Sequence, residues 1–294
     1  MTRLGFAPGG IPGNPDGPVS APLVRTYRVL SPKRARAARA HLDLVYGDGL
    51  DTAQKETILS QSLKHLLGLP FHLRRTLLWS REKTLRTVHV DPESKRALEQ
   101  ALEAGQGLFL ISGHIGYWEL GLRVSRMLFP ERFCVISKPF SPKWLYNLFV
   151  KTRGCALTIE KDGAARDVIQ ALRDNRIVCV LIDQNRPDGA FVPFFGEPAS
   201  TGMLVPTLAL RKDVPVFSTA CLKTERGYEL TFNGPLDLRA GGETPDAAMR
   251  AAEVCNEAIE HFVRQAPGQF LWTHLRFKRG QAGEPNLYER ARST

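Results

Sequence analysis

Apolar and polar positions along the chain follow two textures, with the change near residue 105. Before it, apolar residues recur at helical spacing. In "DTAQKETILSQSLKHLLG", Leu59, Leu63, Leu66 and Leu67 fall at i, i+4, i+7 and i+8, one face of an amphipathic helix. Asp51 or Thr52 is available as its N-cap and Gly68 as its terminator, because short polar side chains satisfy the first backbone N–H groups and glycine accepts the conformation that ends a helix. The next stretch, "LPFHLRRTLLW", mixes Phe71, Leu73, Leu77, Leu78 and Trp79 with Arg74 and Arg75. That pattern suits a helix lying on a membrane surface, and equally a docking helix whose arginines extend along apolar surface. Residues 1–22 hold too many Gly and Pro for a regular element.

Beyond residue 105, short apolar runs alternate with helical periods, which predicts an α/β sheet. Strands are expected at 107–112, 133–137, 156–160, 214–220 and 228–233, and at 177–183, where "IVCVLID" reads as a strand buried on both faces. Helices are expected at 164–174 and 246–264. The organisation that follows is a flexible arm over 1–24, a helical region over 25–100, an α/β domain over 101–280 and a polar tail over 281–294.

Charge and cysteine content narrow the partners. Forty Lys and Arg against 30 Asp and Glu leave a net charge of +10, which favours an anionic membrane, a phosphorylated lipid, an acidic carrier protein or nucleic acid. No nucleic-acid-binding motif and no stripe of interleaved aromatics and arginines supports the last, so no nucleic-acid partner is expected. The five cysteines are odd in number, scattered and without a C-x-x-C pair, so neither a disulfide framework nor a metal site is expected. Buried thiols in a reducing cytoplasm fit better. The N-terminus lacks the apolar core of a secretion signal, and no run of 18 apolar residues could span a bilayer. Membrane contact is therefore expected to be peripheral.

The candidate chemistry centres on "GLFLISGHIGYWEL", residues 107–120. Inside one helix, His114 and Glu119 would lie roughly 140° apart and diverge. They can meet only if His114 stays in the turn between Gly113 and Gly116 while Glu119 opens the helix. A carboxylate partner would fix the imidazole tautomer and stabilise its protonated form, as a general base requires. A capping or hydrogen-bonded core histidine explains the same residues.

The run resembles the H-x-x-x-x-[DE] signature of the lysophospholipid acyltransferase superfamily, and more specifically the "H-x-G-x-W-E" of late lipid A biosynthesis acyltransferases, with Tyr117 where many relatives carry Asn. Three later blocks resemble that family in the same order. These are "SKPFSPKWLYNLFVKTRG" with Lys138 and Arg153, "LIDQN" with "GAFVPFFGEPASTG", and "FLWTHLRFK" with Leu275 in place of an Arg. The resemblance spans roughly residues 30–280. It implies a mixed central sheet flanked by helices, of the glycerol-3-phosphate acyltransferase kind, with an N-terminal helical extension.

It further implies an O-acyltransferase. His114 would take the proton of a lipid hydroxyl, Glu119 would orient the histidine, and the alkoxide would attack an acyl thioester carried by acyl carrier protein or coenzyme A. Lys138, Arg153, Asp183 and Gln184 are the expected substrate-binding residues. No cofactor or metal is implied. A solvated helix-end position also accounts for Arg153, and turn capping for Asp183. Trp272, His274, Arg276 and Lys278 fit either a basic rim near the membrane or a final strand. Two alternatives share the sequence features: a thioesterase using the same dyad, and a basic binding protein without catalysis.

Overall fold

A computed structural model describes residues 19–137, 143, 146, 157–160, 164–240, 242, 244–278, 280 and 285–290. Four helices open the described chain: α1 (Ala21–Leu30), α2 (Pro32–Tyr46), α3 (Thr52–Leu77) and α4 (Arg81–Thr87). The short strand β1 (Val88–Val90) and helix α5 (Pro92–Glu103) follow. Then come β2 (Leu108–Ser112), α6 (Trp118–Leu128), β3 (Phe133–Ser137), β4 (Leu157–Glu160), α7 (Ala164–Arg173) and β5 (Ile177–Leu181). The remainder contributes β6 (Ala190–Phe194), β7 (Glu197–Thr201), α8 (Leu204–Lys212), β8 (Val216–Thr224), β9 (Gly227–Asn233), α9 (Ala247–Gln265) and α10 (Leu287–Arg290).

The central sheet runs β1-β9-β8-β2-β5-β3-β4. Every neighbouring pair is parallel except β8 with β9, which form an antiparallel hairpin. This is the mixed α/β architecture the apolar runs predict. All five residues of β2 are buried, and their alternation divides the core. Leu108 and Leu110 enter one apolar cluster, Phe109 and Ile111 the other, as the two faces of a pleated strand require. The second of these clusters also takes in Val24, Ala38, Leu42, Ile58, Leu59 and Leu63, so α1 to α3 share a core with the sheet.

Helix α3 departs from expectation. Asp51 caps it, accepting from the Gln54 N–H at 2.8 Å while Gln54 Oε1 accepts from the Asp51 N–H at 2.9 Å, a reciprocal capping box. The helix does not stop at Gly68 but continues through Pro70 to Leu77. Its far half is anchored by His65 to the turn after β2, by His72 to β9 and by the Thr76 carbonyl to Arg123 of α6, and tertiary packing of this kind outweighs local propensity. Residues 21–24, assigned to the arm, open α1. The "VPFFG" segment forms the end of β6 and the turn of the β6-β7 hairpin. "FLWTHLRFK" is neither a strand nor a rim, since turns replace the strand and Trp272 and Arg276 are buried. Cys134, Cys179, Cys221 and Cys255 are all buried.

Candidate active site

Register places the site. In the parallel pair β2 and β5, Ser112 faces Leu181, and each strand carries a polar residue two positions beyond that pair: His114 on one, Asp183 on the other. Both therefore emerge at the carboxyl ends of adjacent central strands, where open α/β sheets hold ligands. The strand ends are tied by the Ile182 N–H donating to the Ser112 carbonyl at 2.9 Å.

The turn after β2 is held on several sides. Gly116 has φ +59°, and a Cβ there would come within 2.2 Å of the Cys221 carbonyl oxygen, so only glycine fits this close approach. The Tyr117 N–H donates to that carbonyl at 2.7 Å, the Gly116 N–H to the Gln269 carbonyl at 3.0 Å and the Leu271 N–H to the His114 carbonyl at 3.2 Å. His65, on α3, donates through Nε2 to the Gly116 carbonyl at 2.9 Å. Helix α6 starts only at Trp118. His114 thus stays in the turn and Glu119 lies in the first helical turn, as the spacing requires.

Asp183 supplies the bonds that fix the histidine. Its Oδ1 lies 2.9 Å from His114 Nδ1, and its Oδ2 accepts from the His114 N–H at 2.8 Å. The carboxylate is 1% exposed and the imidazole 19%. Burial pushes the Asp183 carboxyl up, but the charge of His114, its two hydrogen bonds and the nearby His274 together hold it below its ordinary value. Nδ1 is engaged by Asp183, and the Gln184 amide nitrogen stands 3.4 Å from the other ring nitrogen, Nε2. The Trp118 ring packs edge-on against the imidazole, with centroids 5.1 Å apart.

His114, Glu119 and Gln184 line a cavity of about 1250 Å³, larger than the roughly 300–1,000 Å³ of pockets for small ligands. One part of its wall is apolar, from Leu122, Val135, Ile136 and Val180; another carries Arg166, Arg186 and Asp188. The first turns of α6, α7 and α8 also face it, through Glu119, Arg166 and Leu204. Their aligned peptide dipoles present positive ends that favour anionic groups.

These positions revise the sequence expectations. Glu119 was given the orienting role; the structure gives that hydrogen bond to Asp183, 69 positions along the chain, and sets Glu119 in the cavity wall. Asp183, expected beside substrate, lies buried behind the histidine. Gln184 is on the cavity as expected. Lys138 and Arg153 lie outside the described residues. Tyr117 is in the core, ring to ring with His65, His72 and Tyr228, and so does not read substrate. Arg166 and Arg186 escaped the sequence reading; the only signal was the position of Arg186 three residues after Asp183.

Fold and site define the class first: an α/β protein with a carboxylate-oriented histidine at its strand ends, opening on a cavity of lipid size. The family follows from sequence comparison. The model of the bacterial lipid A biosynthesis acyltransferases matches residues 20–279, and the chain belongs to that family; it is an acyltransferase. The lipid A biosynthesis palmitoleoyltransferase of Escherichia coli is 24% identical over 264 residues, 87% of this chain and 82% of the relative. A lipid A biosynthesis acyltransferase of Shigella flexneri matches at the same level. A phosphatidylinositol mannoside acyltransferase of Mycobacterium tuberculosis is 27% identical over 154 residues, 49% of this chain and 48% of the relative.

Proposed function

We propose that the protein transfers a fatty acyl chain from a thioester, on acyl carrier protein or coenzyme A, to a hydroxyl of a glycolipid or lysophospholipid. The observation that carries this reading is the buried His114–Asp183 pair on the wall of a large, partly apolar cavity in a chain of this family. His114 Nε2 takes the proton of the acceptor hydroxyl as its oxygen attacks the thioester carbonyl. Asp183 stabilises the imidazolium that forms. The tetrahedral intermediate collapses to ester and thiolate, and the imidazolium proton neutralises the thiolate. The negative oxygen of that intermediate is favoured by the positive helix ends around the cavity.

The acyl chain takes the apolar wall, and Arg166 and Arg186 meet phosphate on the donor arm or the acceptor through charge-assisted bonds. Glu119, which lines the cavity with His114, contacts the reacting groups. Two relatives are named for lipid A biosynthesis and one for acylation of a phosphatidylinositol mannoside, which supports a lipid acceptor. We place the enzyme at the cytoplasmic face of an anionic membrane.

The test incubates wild type and His114→Ala with acyl carrier protein and coenzyme A thioesters and a total lipid extract, followed by mass spectrometry. The expected result is an acylated lipid made by wild type only. Transfer retained by a folded His114→Ala variant rejects the mechanism, and thioester hydrolysis indifferent to added lipid replaces the transferase with a thioesterase.

A further inference from the structure

The buried pair raises an electrostatic problem that its own two members do not solve. A general base must be neutral before it acts, so in the competent state His114 carries no charge while Asp183 must keep its own. A carboxylate that is 1% exposed is costly to hold ionised without a positive charge nearby.

The C-terminal segment supplies one. Arg276 is 3% exposed, far more buried than arginines ordinarily are. One guanidinium nitrogen, Nη1, donates to the Ser200 carbonyl at 2.6 Å and the Gln184 carbonyl at 3.3 Å, and Nη2 donates to Thr201 Oγ1 at 2.7 Å. The same group lies over the Phe194 ring, 5.3 Å from its centroid. A planar fork thus ties the segment bearing Asp183 and Gln184 to the β6-β7 hairpin. Arg276 and Asp183 line one small cavity, and Arg276 Nε, buried, has no hydrogen-bond partner among the described residues.

The other groups around Asp183 do not substitute for this charge. His274, from the same segment, is pushed down by burial ahead of all other causes, and so supplies no fixed charge. His41, from α2, shares the small cavity and is lowered to about 4. Arg34, also on α2, is exposed and donates to the Thr273 carbonyl. Tyr288, on α10, stays a neutral phenol, since burial raises its pKa.

We propose that Arg276 is a positioning residue of the acyl-transfer site: its fixed, buried charge keeps Asp183 ionised while His114 is neutral, and its fork sets the strand end on which Asp183 and Gln184 stand. The inference deepens the transferase reading and takes its catalytic meaning from it, but it is tested on protonation alone, without substrate.

The experiment follows the imidazole ¹⁵N shifts of histidine-labelled protein against pH, with the His114 signals assigned through His114→Gln. Removing the cation makes proton uptake by the pair easier, so the sign is upward. In Arg276→Gln the pH of first proton uptake by the His114–Asp183 pair rises by about half a unit or more, roughly threefold in proton affinity. In Arg276→Lys, which keeps charge and loses the fork, it stays near the wild-type value. An unchanged titration in folded Arg276→Gln overturns the proposal, as does an equal shift in both variants, which would assign the effect to packing. If Arg276→Gln does not fold, the double variant with Asp183→Asn decides. Removing the carboxylate that needs the charge restores folding if the proposal holds, and failure to restore it overturns the proposal. Loss of lipid transfer with the protonation results intact would reject the transferase reading alone.

Discussion

His114 stands near two carboxylates whose surroundings set them different tasks. Asp183 is buried, bidentate to the histidine and held below its ordinary pKa, so it remains an anion through the range in which an imidazole gains and loses its proton. Glu119 is only half-buried and lines the cavity. Removing the Asp183 charge while keeping its shape should therefore disturb the base itself. Asp183→Asn is expected to lower kcat by roughly 10²–10⁴ and to abolish the far-downfield Nδ1 proton signal of His114. Glu119→Gln should leave that signal in place. A Glu119 variant that loses the signal while Asp183→Asn keeps it would restore the pairing that motif spacing alone suggested.

At the scale of elements, the exposed large apolar residues mark one part of the fold. Leu23, Val29, Leu30, Phe71 and Leu78 are each at least 43% exposed, and all belong to α1, α3 or the residue after it. Exposed Arg25, Lys33, Arg36, Arg74 and Arg75 accompany them. Among the described residues no helix is long and apolar enough to cross a membrane, whereas apolar tips beside cations suit the surface of an anionic bilayer. Flotation with vesicles of mixed anionic and zwitterionic lipid should recover the protein at low salt. Val29→Ser with Leu30→Ser, or Leu78→Ser, should reduce recovery several-fold without changing thermal stability. Equal recovery by all variants would remove these helices from the membrane contact.

Which elements the sequence disclosed follows from what determines each. The strands β2, β3, β4, β5, β8 and β9 and the helices α6, α7 and α9 were legible because their apolar periods are set by burial in a sheet core, whereas β6, β7 and α8 were not expected. So was the turn that holds His114, since two glycines and a five-residue spacing leave no other geometry. The extension of α3 past Gly68 and Pro70 was hidden, because contacts with β9 and α6 stabilise it rather than anything in its own residues. The partnership of His114 with Asp183 was hidden for the same kind of reason. Both residues were singled out, but strand order and register make them neighbours, and a sequence does not display which of its strands lie side by side.

For the whole molecule, the buried His41 and His65 and the half-buried His72 join the N-terminal helices to the rest of the fold. His41 Nδ1 donates to the Trp272 carbonyl at 2.7 Å, and its Nε2 accepts from the Tyr288 hydroxyl at 2.7 Å. His65 reaches the Gly116 carbonyl in the turn that holds His114, and His72 pairs with the Tyr228 hydroxyl at 2.7 Å. Burial, the largest cause in each case, lowers His41 and His65 to about 4 and His72 to about 3, from an ordinary 6.5. The sign of the consequence is fixed. Between pH 6.5 and 4 the unfolded chain binds protons at these sites and the folded chain does not, so the stabilisation is complete above 6.5 and is lost as pH falls towards 4. Ordinary carboxylates titrate around the lower end of this window, which leaves the histidines to dominate its upper half. The urea midpoint should therefore decline steadily from pH 7 to 5, and His41→Gln should flatten that decline even though it lowers the midpoint at pH 7. A midpoint constant across the interval would show that these side chains are not held neutral in the fold. Because His65 and the segment bonded to His41 both hold the turn of His114, the same acidification should release the N-terminal helices and the site together, with activity and helix protection from hydrogen exchange falling over one pH range.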